Sequence, residues 1–148
     1  MKVVLDTNIL IEGLKDDYSY EKRIIDEVRK GNLIAYANHS SYRENRLITR
    51  QLINSVSYKK ELEDFFKLIH FTSGRLRLDI VADHEDNKIL ASAVEAGAEY
   101  LVTSDKDLLT IGSYQGVQIV SPARFWQTYM EEDGGAWAEW TKFIMGQK

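Results

Sequence analysis

Short, continuous apolar runs alternate with helical segments along this chain, and that alternation admits few folds. Residues 2–6 (KVVLD), 33–37 (LIAYA), 100–103 (YLVT) and 117–120 (VQIV) are apolar, rich in β-branched residues and bounded by polar residues or glycine, as buried strands are. Residues 75–83 (RLRLDIVAD) alternate at first and read as extended. A helix is expected near 20–30, with Ile24, Ile25 and Val28 on one face and Gly31 at its C-terminal cap. A second begins at Ser40 or Ser41, with Tyr42, Leu47 and Ile48 inward; a third spans 57–69, with Leu62, Phe65, Phe66 and Ile69 in a stripe. The next runs from Asp86 to Ala96, carries Ile89, Leu90, Ala93 and Val94 inward and ends at Gly97. Ser121-Pro122 then caps and starts the helix ARFWQTYM. Doubly buried strands joined by helices predict an α/β chain: a three-layer, Rossmann-like α/β/α sandwich around a mostly parallel sheet of four or five strands.

With 148 residues and no internal repeat or linker, one domain is expected over 1–130. The tail, 131–148, differs in character: Trp137, Trp140, Thr141 and Ile144 share one side of a helix that would pack on the domain or on a partner. The chain has no cysteine, so disulfides and thiolate zinc sites are excluded and a cytoplasmic setting is expected. No apolar run nears the ~20 residues of a membrane span, and VVLDTNILI, broken by Asp6, reads as strand plus turn rather than a leader. Only three histidines are present, so any metal site rests mainly on oxygen ligands, which favours Mg²⁺ or Mn²⁺ over Zn²⁺. A net charge of -4 argues against a broadly basic nucleic-acid surface, although acids around a divalent ion that bridges to phosphate give the same sign.

Acids recur where such a fold places its ligands, beyond the carboxyl ends of the strands. Asp6 ends the first strand and Asp105 ends YLVT; Asp86 opens the helix leading to that strand, and Glu44 lies early in the helix after the second strand. Each has a structural reading of its own. Asp6 suits a turn before Asn8, Asp86 a helix N-terminus, Asp105 an Asx turn, and Glu44 a solvated helix face beside Arg43, Arg46 and Arg50. Their joint delivery to one edge favours a site for one or two hard divalent cations.

VVLDTN, Ser40 followed by Glu44, DHEDNKILASAVEAGAEYLVTSDKDLL and IVSPARFW together make residues 1–130 resemble a PIN domain. More narrowly, the chain is similar to the VapC-like toxin components of prokaryotic toxin–antitoxin pairs. The most specific part is D-x-x-D-N-K-x-L-x-x-A joined to YLVTSDKDLL. The resemblance implies an acidic quartet of Asp6, Glu44, Asp86 and Asp105, with Asn8 orienting the first acid and Asp107 a neighbouring acid. His84 stands where many relatives carry proline, and Asp83 is a rival to Asp86 in the same turn.

The same resemblance implies a metal-dependent ribonuclease using Mg²⁺ or Mn²⁺, with hydroxide attacking phosphorus in line to leave 5′-phosphate and 3′-hydroxyl ends. It implies a homodimer and an antitoxin partner laid into the active-site groove. Arg43, Arg46, Arg50 and Lys106 are candidate grips on RNA phosphates, though the three arginines also suit a solvated face. A dehalogenase-like phosphatase is disfavoured because Asn8 takes the second acid's place in D-x-D, and a receiver domain because Asp6 lies on the opening strand. The remaining alternative is a catalytically silent PIN-like module that binds RNA or a protein.

Overall fold

The computed structural model describes residues 1–132, and in it strand and helix alternate from the first residues onward. The order is β1 (Lys2–Leu5), α1 (Thr7–Glu12), α2 (Tyr20–Arg29), β2 (Ile34–Ala37), α3 (His39–Leu52), α4 (Val56–Lys67), β3 (His70–Phe71), α5 (His84–Ala96), β4 (Tyr100–Val102), α6 (Lys106–Ile111), β5 (Ser113–Tyr114), β6 (Val117–Val120) and α7 (Pro122–Glu132). The strands lie in the order β3-β2-β1-β4-β6-β5. All neighbours are parallel except β5 and β6, which are antiparallel. The sheet thus has six strands rather than four or five, because two-residue strands extend each edge. The tryptophan-bearing helix expected in the tail lies outside the described residues.

Period two along the strands explains the three layers. Val3, Leu5, Tyr100 and Val102 face one core with Ile9, Ile24, Ile25, Phe65, Phe66 and Phe125, which places α1, α2, α4 and α7 on that side. Val4, Leu101 and Ile119 face the other with Leu90, Ala93 and Leu108 from α5 and α6. Both faces of β1 and β4 are covered, so β4 is apolar throughout and β1 is apolar after Lys2.

Residues 75–83, expected to be extended, join no strand of the sheet; Asn87 holds Ile80 and Val81, accepting from both backbone N–H groups at 2.8 and 3.1 Å and donating to Val81 O at 2.8 Å. Two expectations need correction. A short helix, α1, begins directly after Asp6 in place of the expected turn, whereas Asp105 makes its expected Asx turn at the start of α6, its Oδ1 accepting the Asp107 N–H at 2.8 Å. Leu47 is 56% exposed, and the buried face of α3 is polar, made of Ser41, Asn45 and Thr49. That helix lies over the site, while its half-buried Tyr42 packs, as expected, against the core at Phe66.

The strand order fixes where that site opens. From β1 the chain passes to β2 on one side and later returns to β4 on the other, so β1 and β4 are adjacent while their outgoing loops diverge. A crevice must open there at the carboxyl ends.

Candidate active site

Asp6 leaves β1 and Thr103 to Asp105 leave β4, on the two sides of that crevice. The cleft between them holds about 420 Å³ and is lined by Asp6, Glu44, Asp83, Glu85, Asp86 and Asp105, with Asn8, Ser41 and Asn45 among the uncharged groups. All four acids singled out in the sequence therefore reach one cavity, from β1, α3, α5 and the turn after β4.

Asp6 stands at the N-cap of α1 but makes no side-chain capping bond. Its Oδ2 instead accepts from the fully buried Thr103 hydroxyl at 2.8 Å. The same Oγ1 accepts the Asp105 N–H at 3.0 Å, so one threonine sets the position of both strand-end acids. Asp105 and Asp83 do cap helices, α6 and α5, each through Oδ1. Asp86 follows in the first turn of α5 and is buried. The Thr7 hydroxyl donates to Asn45 Oδ1 and ties α1 to α3 across the cleft floor.

The electrostatics are those of crowded carboxylates. Burial pushes the Asp6 carboxyl above its ordinary 3.8, against hydrogen bonds from Thr103 and the Thr7 backbone, and the Asp105 and Asp83 charges add to the rise. Asp86 is raised to about 6, by burial first and then by Asp105, Asp83, Asp6 and Asp107. Glu44 is raised by partial desolvation and by the adjacent Glu85. Groups that burial and like charges hold this way gain most from a nearby cation.

Among the described residues, no three histidine, aspartate or glutamate side chains are grouped tightly enough to hold a metal ion by themselves. The donor set nonetheless fits Mg²⁺ or Mn²⁺. Every donor is a hard oxygen, and Mg²⁺ takes one or two carboxylates while keeping several waters. The buried Ser41 hydroxyl, which has no hydrogen-bond partner, adds an oxygen on the same wall.

The PIN domain family profile matches residues 2–107, which include every acid of the cleft. The chain belongs to the PIN domain family. This PIN domain is 26% identical over 117 residues to an uncharacterized protein of Methanocaldococcus jannaschii, covering 75% of each chain. Its fold is similar to a chain in the crystal structure of VapBC2 from Rickettsia felis bound to a DNA fragment from their promoter. The TM-score is 0.53 at 14% identity, over 82% of this chain and 98% of that one. Among the described residues of the PIN domain, no helix is long and apolar enough to cross a membrane.

The other residues named from sequence are spread around the cleft. Asn8 is exposed and lines it. Asp107 is exposed outside the lining, and its charge still raises Asp86. Arg43, Arg50 and Lys106 are exposed, whereas Arg46 is engaged, with both Glu63 oxygens at 2.8 Å and Tyr42 Oη at 2.9 Å. Sequence reasoning missed Thr103, Glu85, Ser41 and Asn45. Of these only Thr103 had a signal, a hydroxyl in the T-S-D turn that ends a strand.

Thr103→Val keeps the shape and deletes both hydrogen bonds. Partners of metal-binding carboxylates contribute 10- to 100-fold in affinity, so Mg²⁺ or Mn²⁺ binding should weaken by roughly tenfold. Calorimetric titration of the purified variant checks this; unchanged affinity would show that Thr103 does not support a cation site.

Proposed function

We propose that this PIN domain is a Mg²⁺- or Mn²⁺-dependent endoribonuclease, and that it acts as the VapC-like toxin of a toxin–antitoxin pair. The observation that carries the reading is the convergence of Asp6, Glu44, Asp86 and Asp105 on one cleft, with Asp6 held by Thr103 instead of capping its helix. Asp6, Asp86 and Asp105 would hold the cation, with Glu44 completing the set. When bound, the cation supplies Lewis-acid chemistry, neutralising phosphate charge and making water more acidic.

The chain's own groups do the rest. Asp6 is fixed by Thr103 and Asp105 by its cap on α6, so these two oxygen donors are oriented before any ligand arrives. Glu44, at the exposed side of the cleft, orients the attacking water and accepts its proton on a carboxylate oxygen. Attack in line on phosphorus breaks the bond to the 3′-oxygen and leaves 5′-phosphate and 3′-hydroxyl ends. Arg43, Arg50 and Lys106, exposed on the two elements that follow β2 and β4, supply phosphate contacts that position the strand.

The neighbouring structure contains a VapBC2 complex, which supports an antitoxin as partner here. Leu47, Leu52 and Val56 are exposed around the junction of α3 and α4, and Leu52 also lines the cleft. An apolar segment of the antitoxin laid across them would cover the acids. The homodimer and the cytoplasmic setting belong to the same reading.

The deciding experiment incubates labelled RNA with the full chain and Mg²⁺, Mn²⁺ or chelator. Cutting with metal and none with chelator is expected. RNA left intact under every metal would assign the chain to the silent binding modules.

A further inference from the structure

Among the described residues, six carboxylates line the acidic cleft and no lysine, arginine or histidine does. A phosphodiester entering it brings non-bridging oxygens that share a further negative charge. A divalent cation can meet one of these oxygens, and the other calls for a hydrogen-bond donor. The uncharged polar side chains of the lining are Thr7, Asn8, Ser41 and Asn45. The Thr7 proton is committed to Asn45, Asn8 is exposed without a partner to orient it, and the Ser41 hydroxyl is buried in the wall itself. Asn45 is left.

Asn45 lies on the buried polar face of α3 with Ser41 and Thr49, one residue after Glu44. The Thr7 hydroxyl, one residue after Asp6, donates to its Oδ1. The bonded pair therefore joins the segments that carry Asp6 and Glu44. A planar amide held by its oxygen on one side presents its N–H groups on the other. The reverse orientation would turn the amide oxygen toward the carboxylates of the lining, which electrostatic repulsion disfavours. Nδ2 makes no hydrogen bond among the described residues, and its neighbours do not close it off as they close off Ser41 Oγ. A half-used amide on a buried helix face is a cost to the fold unless something else takes its protons.

We propose that Asn45 is a catalytic residue, its Nδ2 donating to a non-bridging oxygen of the scissile phosphate. The proposal rests on the ribonuclease reading for its substrate. In-line attack spreads negative charge over the non-bridging oxygens. A donor fixed beside them in advance stabilises that charge without having to reorganise as it develops. Thr7 does the fixing. It is a positioning residue, acting only through the orientation of the Asn45 amide. The acids of the cleft serve the cation, and the amide serves the oxygen that the cation does not reach.

The test uses the full chain and an RNA that it cuts, remade with a single phosphorothioate at the cut bond and separated into its diastereomers. Sulfur accepts an N–H bond weakly, so each isomer reports what faces one oxygen position. The isomer whose sulfur faces the cation is recognised because its slow cutting in Mg²⁺ recovers in Mn²⁺. The other should be cut roughly tenfold more slowly than the all-oxygen RNA in either metal. Asn45→Ala should lower single-turnover cleavage of the all-oxygen RNA by about 10²-fold, as loss of one fixed donor does. It should also remove the metal-independent sulfur penalty, because the donor behind that penalty is gone. Thr7→Val keeps the amide but frees it to turn, so it should show a smaller loss and a reduced penalty; it decides the matter if Asn45→Ala does not fold. A role confined to tying α1 to α3 would slow oxygen and sulfur substrates alike. Metal-dependent cutting with the penalty unchanged in the variants, or Asn45→Ala as fast as wild type, overturns the proposal and spares the nuclease reading. A wild type that cuts no RNA under any metal overturns both.

Discussion

Asp6→Asn is expected to abolish metal-supported RNA cleavage, lowering the rate by about 10³-fold, while the protein stays folded. The substitution is close to isosteric. The amide can still accept from the Thr103 hydroxyl through its carbonyl oxygen, so the 2.8 Å contact and the path of β1 survive. The charge does not. A divalent cation loses one of its anionic donors at the most buried position of the cleft, where interactions are least screened. A loss of about 4 kcal/mol of stabilisation corresponds to that thousandfold. The variant should melt no lower than wild type in chelator, because a buried acid raised by desolvation has become neutral. Single-turnover cleavage with Mg²⁺ and with Mn²⁺, set beside the melting curve, checks both halves. Cleavage within tenfold of wild type would remove Asp6 from the chemistry, and with it the reading of the cleft.

Asp6 was legible in the sequence because the apolar run before it marks a strand end, and strand ends in this class of fold share one edge. Asp105 was legible for the same reason. Their partner Thr103 was not, since a threonine closing YLVT looks like any β-former; only the third dimension turns its hydroxyl toward Asp6 from a strand 97 residues away. Helix α3 misled in the opposite direction. Leu47 has the spacing of an inward residue, yet the helix covers a polar cleft, so Ser41, Asn45 and Thr49 are buried and Leu47 is exposed. The alternation of RLRLDIVAD suggested an extended path but not what holds it, which is the distant side chain of Asn87 on its backbone. Local pattern settles an element when burial follows local period. It fails where a site or a distant side chain decides what is buried.

Asp86→Asn should invert the order of stability between two conditions. In chelator at pH 7.5 the variant should be more stable than wild type. The Asp86 carboxyl sits at about 6 in the folded chain against an ordinary 3.8, raised by burial and then by the Asp105, Asp83 and Asp6 charges. The folded state therefore binds more protons than the unfolded one between those values, and wild-type stability falls as pH rises through that window. Toward pH 4 and below, the wild-type carboxyl is protonated in the folded chain, and the advantage of the variant should vanish. With Mg²⁺ the order reverses. A cation present at ~100 times its dissociation constant adds about 2.7 kcal/mol to the folded state, which for a domain of this size raises Tm by roughly 5–10 °C. The variant has lost a charged donor and should gain only a small part of that. Melting curves of both proteins at pH 4, 5, 6 and 7.5, with chelator and with Mg²⁺, expose the crossing. A variant less stable than wild type in chelator at pH 7.5 would mean that Asp86 is held by favourable bonds instead of strained by its neighbours. A wild type that gains nothing from Mg²⁺ or Mn²⁺ would mean that those neighbours do not gather to hold a cation.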